Sequence, residues 1–218
     1  MRRLLIALLL VAACGDGATG DLPSATDLLP RAAEAMASVE SAEFQMTASG
    51  APVLVTGLGF VSATGAYVAP DRASAALQMK VGDLTVELAT VSVAERTWIT
   101  EPLTGAWNEL TPGTGFNPAI VFGSDGWVAV LSGGLADAQV TGSRDGAYMV
   151  EGTASAERVD FLTAGLVEGQ AVRITLLVDA ETSRLRQADF TTDDDAGETS
   201  WRIVLGPYDG PLTVTPPG

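Results

Sequence analysis

Residues 75–88 read AALQMKVGDLTVEL and predict a β-hairpin. Apolar side chains alternate with Gln78 and Lys80 before the Gly82-Asp83 pair, and apolar side chains alternate again after it. A period of two is typical of strands with one buried face, and a glycine-aspartate pair is typical of a tight turn. The apolar phase shifts near Ala89-Thr90, which predicts a β-bulge or a bend in the second strand.

Further β-rich segments extend this hairpin into a sheet of about ten strands. Residues 53–60 and 65–68 predict two strands before the hairpin, and 96–100 with 107–110 predict a second hairpin after it. The cleanest alternation in the chain lies at 172–178. Because sequential strands joined by short turns run antiparallel, we expect an antiparallel sheet, which is curved if the second strand bends near Ala89-Thr90.

The helical segments are few. Asp27 is expected to cap a helix over 28–39, and Ser155 to cap another that ends near Ala164. Residues 117–135 are apolar without a period of two and predict one or two short helices. The pattern predicts an α+β fold with the helices on one face of the sheet.

Composition and charge exclude several classes of protein. The 218 residues are 47% hydrophobic with a formal net charge of −15, so one packed domain over 28–218 is expected and nucleic-acid binding is not. The sequence has no histidine and a single cysteine, Cys14, which excludes histidine triads, histidine zinc sites and disulfides within the chain.

The N-terminal residues predict export and lipidation. Arg2 and Arg3 precede the apolar run LLIALLLVA, which is too short to span a bilayer and suits a secretory signal. Small residues then lead to Cys14, so we expect residues 1–13 to be removed and Cys14 to receive a diacylglycerol anchor. An ordinary signal peptide with an incidental cysteine is the alternative. Residues 14–27 predict a flexible linker that tethers the domain to the extracytoplasmic face of the cell membrane.

Six short segments, taken in order, resemble those of one known family. They are Val68-Ala69-Pro70-Asp71-Arg72, Gly105-Ala106-Trp107-Asn108-Glu109-Leu110, Gly152-Thr153, Val178-Asp179, and Tyr208-Asp209 with Val214-Thr215-Pro216. With the lipidation signal and the alanine-rich helix, they resemble the LppX/LprAFG lipoproteins over residues 28–217. The resemblance implies a strongly curved antiparallel sheet, in the form of a half-open β-barrel similar to the LolA carriers, cupped around helices. It also implies a hydrophobic cavity that holds multi-acylated lipids or glycolipids and assists their transport across the envelope.

The residues themselves give weaker support for a cavity. Ala32, Ala33 and Ala35 make the first helix thin, so the helices cover the apolar face of the sheet poorly. Apolar space left open there would accept acyl chains, although the same side chains could instead fill an ordinary core. The side chains expected to line the cavity are Phe44, Met46, Leu77, Met79, Val86, Leu88, Val91, Phe122, Val172, Ile174 and Leu176.

Catalysis is not expected. The carboxylates Glu87, Glu95, Glu101, Glu109 and Asp125 have no spacing that selects a pair for glycoside hydrolysis. The acidic run at 193–195 lacks the spaced oxygen ligands of a calcium loop. No cofactor or metal is therefore predicted. A tethered lipid carrier is the leading hypothesis; an envelope sensor or an accessory subunit of a membrane transporter, without its own cargo, and a secreted hydrolase are the alternatives.

Overall fold

The computed structural model describes residues 22–55, 57–112 and 117–218. The predicted signal peptide, the predicted lipidation site Cys14 and residues 15–21 of the predicted linker lie outside these residues. The helices are α1 (Ala25–Ala37), α2 (Ala119–Phe122), α3 (Trp127–Leu131) and α4 (Ala156–Leu162). The strands are β1 (Ser41–Gly50), β2 (Val53–Val55), β3 (Leu58–Val68), β4 (Arg72–Val81), β5 (Leu84–Val93), β6 (Arg96–Thr100), β7 (Trp107–Glu109), β8 (Leu135–Arg144), β9 (Ala147–Ala154), β10 (Val172–Asp179), β11 (Leu185–Asp194) and β12 (Gly197–Tyr208).

One curved antiparallel sheet contains all twelve strands. Its order is β7-β6-β5-β4-β3-β1-β12-β11-β10-β9-β8, and β2 pairs with β3 beside this path. The two outer strands, β7 and β8, do not pair with each other, so the barrel is unclosed. The α+β fold and its curved antiparallel sheet are confirmed. The run predicted as one strand at 53–60 is broken at Gly57, whose φ of 85° favours glycine, and β3 then continues to Val68.

Helix α1 begins earlier than the sequence predicted. Ser24, not Asp27, caps it, because the Ser24 side chain accepts a hydrogen bond from the Asp27 N–H at 3.1 Å. Helix α1 buries Leu28, Ala32 and Met36 in the core. Ser155 caps α4 as predicted.

The segment 117–135 contains α2 and α3, which confirms the prediction of short helices there. The helices and the inward-facing side chains of the strands form one hydrophobic cluster, so the helices cover the inner face of the sheet.

The β4–β5 hairpin is confirmed. Of the two explanations predicted for the phase shift in β5, a β-bulge or a bend, the β-bulge is wrong. The pairing runs without a register shift from Val81 opposite Leu84 to Arg72 opposite Val93. The inward phase of β5 continues through buried Thr90 and Ser92, and the Ser92 hydroxyl lies 3.0 Å from that of Thr97. Because Thr90 and Ser92 are polar although they face inward, the sequence pattern wrongly indicated that the inward-facing positions change after Leu88.

Val91 therefore lies on the outer face of the sheet, opposite Ser74. The prediction that Val91 lines the cavity together with Leu88 is therefore wrong. The two residues are three positions apart on a strand without a bulge, so their side chains point to opposite faces.

Candidate lipid-binding site

A small apolar pocket lies between the inner face of the sheet and helix α2. Strand β1 contributes Phe44 and Met46, and the neighbouring strand β12 contributes Ile203 and Leu205. Helix α2 and the residue before it close the pocket from the other side. The cavity has a volume of about 10 Å³, and its lining is Phe44, Met46, Pro118, Val121, Phe122, Ile203 and Leu205.

Aromatic stacking holds α2 against the sheet. The ring of Phe122 stacks on Tyr67 with centroids 4.6 Å apart, and lies tilted against Phe44 at 5.9 Å. The Phe44 ring in turn covers Gly65 of β3, where a Cβ would approach Phe44 Cζ to 2.7 Å and Ser74 O to 2.0 Å. Glycine at 65 is therefore required by the close approach of its neighbours.

A second aromatic group fills the inner face further along the same strands. Trp201 stacks between Phe60 and Phe190, with centroids 5.8 and 5.9 Å away. The Trp201 indole N–H donates to the Thr192 hydroxyl at 3.0 Å, which satisfies its buried polar atom. These rings occupy space that a ligand would otherwise fill.

The structure brings three of the predicted lining residues, Phe44, Met46 and Phe122, together around the pocket. Seven other predicted lining residues lie on the same inner face but away from the pocket. Val86 is half-buried, and the other six are buried: Leu77, Met79, Leu88, Val172, Ile174 and Leu176. Sequence reasoning missed Tyr67, Val121, Ile203 and Leu205, although the alternation in β12 already placed residues 203 and 205 on one face.

The predicted lining residues pack against one another in this structure. A volume of about 10 Å³ corresponds to roughly one water molecule, so the pocket holds no acyl chain as it stands. A larger groove, of about 710 Å³, lies on the outer face of the sheet, and Arg173, Asp189 and Arg202 are among its lining residues. Because ion pairs link Arg202 to Asp189 and Arg173 to Glu151, that groove is polar and unsuited to acyl chains.

Apolar packing, rather than hydrogen bonding, holds the α2–α3 segment (residues 117–134) over the sheet. Among the described residues, the segment forms its hydrogen bonds within itself, with one exception. In that exception Arg158 Nη1, on α4, donates to the Asp125 carbonyl oxygen at 3.1 Å. The segment can therefore move without breaking a hydrogen-bond ladder.

Trp127, the first residue of α3, carries an unsatisfied polar atom. It is fully buried, and its indole N–H has no hydrogen-bond partner among the described residues. A buried unpaired donor carries an energetic cost of about 1–3 kcal/mol.

The described residues of the site include no charged side chain that could act as an acid or base. Its pocket lining is apolar. Burial, and then the charge of Asp71, raise the pKa of the Tyr67 phenol, so its hydroxyl stays protonated and donates to the Pro70 carbonyl oxygen at 3.0 Å. Such a surface can exclude water and bind hydrocarbon.

Two of the carboxylates considered for hydrolysis, Glu101 and Glu109, form local hydrogen bonds. Glu101 accepts hydrogen bonds from the Thr104 hydroxyl and N–H, and Glu109 accepts from the Arg96 guanidinium; these bonds lower the pKa of both carboxyls. Among the described residues there is no cluster of three or more acidic or cysteine side chains able to hold a metal ion.

Comparison with known proteins identifies the family. A family model described as LppX_LprAFG lipoprotein matches residues 24–214. The chain belongs to the LppX_LprAFG lipoprotein family. The predicted resemblance is thereby confirmed, and membership indicates a membrane-anchored lipoprotein on the extracytoplasmic side. None of the helices in the described part of the chain has the length and apolar character needed to cross a bilayer.

Solved structures of other LppX_LprAFG lipoproteins share the fold. The chain is similar to LprF from Mycobacterium bovis, with a TM-score of 0.68 and 20% identity over 88% of this chain and 96% of LprF. It is also similar to LppX from Mycobacterium tuberculosis, with a TM-score of 0.59 and 20% identity over 87% of this chain and 99% of LppX. A LolA superfamily protein from Nitrosomonas europaea matches more weakly, with a TM-score of 0.33, 14% identity, and coverage of 89% of this chain and 96% of that protein. No curated protein sequence matches the chain.

Proposed function

We propose that this lipoprotein binds a multi-acylated lipid or glycolipid between the inner face of its sheet and its helices, and assists the transport of that lipid across the cell envelope. One observation carries the proposal. The α2–α3 segment covers an apolar face through apolar contacts, with a single hydrogen bond to α4 among the described residues.

Acyl chains can replace such a segment at little cost. When α2 moves away from Phe44 and Met46, the sheet exchanges one apolar partner for another and no buried hydrogen bond is broken. Each methylene group buried there contributes roughly 0.8 kcal/mol. The unpaired indole N–H of Trp127 adds a donor that an ester or amide carbonyl of the lipid could satisfy.

The membrane anchor places the domain near its cargo. We propose Cys14 as the acylated residue, followed by residues 15–24 as the tether, because α1 begins at Ala25. A flexible tether of that length has a reach of roughly 17 Å, so the domain stays beside the membrane surface.

One observation favours the alternative, an envelope interaction module without cargo. The interior pocket of about 10 Å³ is filled as in an ordinary core. Such a module would act through its outer surface, and its core would contain no lipid.

Native mass spectrometry of the chain purified from its own host distinguishes the two functions. A carrier should contain extractable multi-acylated lipid at close to one per chain. Val121→Phe adds bulk to the pocket and should lower that lipid content, whereas Val204→Phe adds the same bulk on the outer face of β12 and should not. If the wild type, Val121→Phe and Val204→Phe are all purified without bound lipid, the proposal is overturned and the interaction module is supported.

A further inference from the structure

The large apolar side chains left exposed in the described residues are gathered toward one end of the sheet. They are Leu22, Leu54, Val81, Leu84, Leu103 and Trp107, with exposed fractions from 38 to 92%. We call the end with the β2–β3 and β4–β5 turns the hairpin end. The opposite end has the turns at 69–71, 94–95, 145–146 and 180–184, and none of the six residues lies there.

The pairing of strands establishes this placement. Val81 faces Leu84 across the last pair of the β4–β5 hairpin, and they are 46% and 71% exposed. Leu54 lies on the next hairpin, opposite Gly59, which itself pairs with Lys80 one residue from the tip. The β6–β7 loop, with Leu103 and Trp107, turns toward the same end, because β6 runs antiparallel to β5.

The exposed tip is continuous with the interior. Val81 and Leu84 alternate in phase with Met79 and Val86, which face inward on the same two strands. An acyl chain could therefore pass from the tip to the inner face along one row of apolar side chains without crossing a polar strand.

The tether leaves the domain at this same end. The first turn of α1 lies beside the start of β8, where Ala25, Leu29 and Leu135 line one open groove. Leu135 pairs with Ala154, and Ala154 pairs with Val172. The register continues across β11 and β12 to Gly50, the last residue of β1, so these strand ends share the hairpin end. Residues 15–24 thus connect the hairpin end, rather than the opposite end, to the predicted anchor.

We propose that the hairpin end docks on the bilayer that anchors the protein, inserts Val81, Leu84 and Leu54 into its surface, and takes up lipid there. This proposal rests on the proposed function. The occupant is an electrically neutral lipid surface, because the chain carries a net charge of −15 and the β11–β12 turn at the same end contains an acidic run at 193–195. Anionic lipid would repel these carboxylates.

A fluorescent probe tests the docking in the whole anchored protein. Cys14 is the single cysteine of the sequence, so in the acylated chain Leu84→Cys offers one free thiol for an environment-sensitive dye. Glu181→Cys, in an exposed turn at the opposite end, is the matched control. Both proteins are reconstituted into phosphatidylcholine vesicles that contain a lipid-borne quencher. The dye at 84 should shift to the blue and be quenched, while the dye at 181 should remain in water.

A transfer assay separates docking from lipid binding. Val81→Ser with Leu84→Ser should slow uptake of fluorescent lipid from neutral vesicles by roughly tenfold for each side chain, because burial of a valine or leucine is worth about a factor of ten or more. The amount of the same lipid bound after equilibration with detergent micelles, which needs no docking, should be unchanged, because the inner face keeps all of its side chains. Leu212→Ser serves as the control substitution, because half-buried Leu212 follows Asp209, whose N–H donates to the Ser41 carbonyl oxygen at the opposite end.

The outcomes differ for the two proposals. Dyes at 84 and 181 that both remain in water, with equal uptake by the double variant and the wild type, would overturn docking and leave the lipid-binding proposal intact. A buried dye at 84 together with slowed vesicle uptake supports docking. Absence of uptake from micelles by the wild type would overturn the proposed function, and docking would then be decided by the dye alone.

Discussion

Truncation of Phe122 tests whether α2 leaves the sheet when lipid binds. In the closed structure Phe122 is 7% exposed and stacks on Tyr67 at 4.6 Å. A phenylalanine-to-alanine change in a core reduces the free energy of unfolding by about 3–5 kcal/mol, which includes the loss of its aromatic pairs. At about 2–4 °C per kcal/mol, Phe122→Ala should lower the melting temperature of the lipid-free protein by roughly 6–20 °C.

The lipid-loaded protein should respond differently. If α2 has moved away from Tyr67 and Phe44, the Phe122 ring no longer makes those contacts, and its truncation should cost less than about 1 kcal/mol. Because the substitution destabilises the closed form by at least about 2 kcal/mol more than the loaded form, lipid affinity should rise about thirtyfold.

Phe190→Ala is the matched control. Phe190 is 5% exposed and stacks on Trp201 at 5.9 Å, so it loses a comparable ring contact away from α2. Thermal unfolding followed by circular dichroism, on delipidated and reloaded samples, measures the loss of stability of each variant in the lipid-free and the lipid-loaded state. Equal losses for Phe122→Ala in the free and loaded states, matching those of Phe190→Ala, would refute the movement of α2.

Four further measurements test the anchor, the α2–α3 segment, pH dependence and the head group. Cys14→Ala should move the protein out of the membrane fraction in a detergent-partition assay without a change in melting temperature. Arg158→Ala removes an exposed hydrogen bond to the α2–α3 segment, so it should cost at most about 1 kcal/mol and speed lipid exchange in a fluorescence assay, whereas Arg158→Gln should have intermediate effects. Partial desolvation raises the pKa of Asp209, but hydrogen bonds from the Glu40 N–H and from Arg184 lower it more, so the pKa lies below its ordinary value. The free energy of unfolding should therefore fall as the pH drops below about 4. Asp209→Asn should reduce this loss of stability at low pH, as measured by melting temperatures over a pH series. Binding of a neutral glycolipid should change little between low and high salt, and a steep salt dependence would contradict an apolar site.

Much of the sheet was predictable because its strands are buried on one face. Val172, Ile174 and Leu176 alternate without interruption, and the structure buries all three on the inner face. The prediction failed in β5, where Thr90 and Ser92 take the inward positions. An alternating pattern shows which residues are apolar but not which way their side chains point. A hydroxyl can be buried on the inner face when it is hydrogen-bonded, as Ser92 is to Thr97, and the apolar residues then appear to change face.

The site was predictable only in part, because alternation identifies an inner face but not what fills it. Phe44, Met46 and Phe122 were expected at the cavity, and the structure brings them together. The contact of Phe122 with Tyr67 joins residues far apart in sequence, and no local pattern encodes it. The choice between an open cavity and a packed core depends on how closely the helices approach the sheet, which periodicity does not report.

Physical chemistry makes a closed interior the expected lipid-free state of a lipid carrier with this fold. A pocket large enough for a ligand has a volume of roughly 300 Å³ or more. At about 24 cal/mol per Å³, an empty apolar cavity of that size would cost roughly 7 kcal/mol, which is comparable to the whole net stability of a domain. Without cargo, short helices held by apolar contacts should therefore settle onto Phe44 and Met46 and leave only the 10 Å³ observed. Under the proposed function, acyl chains take the place of the same contacts that close the interior, so a filled core without lipid and a lipid site with lipid follow from a single cause.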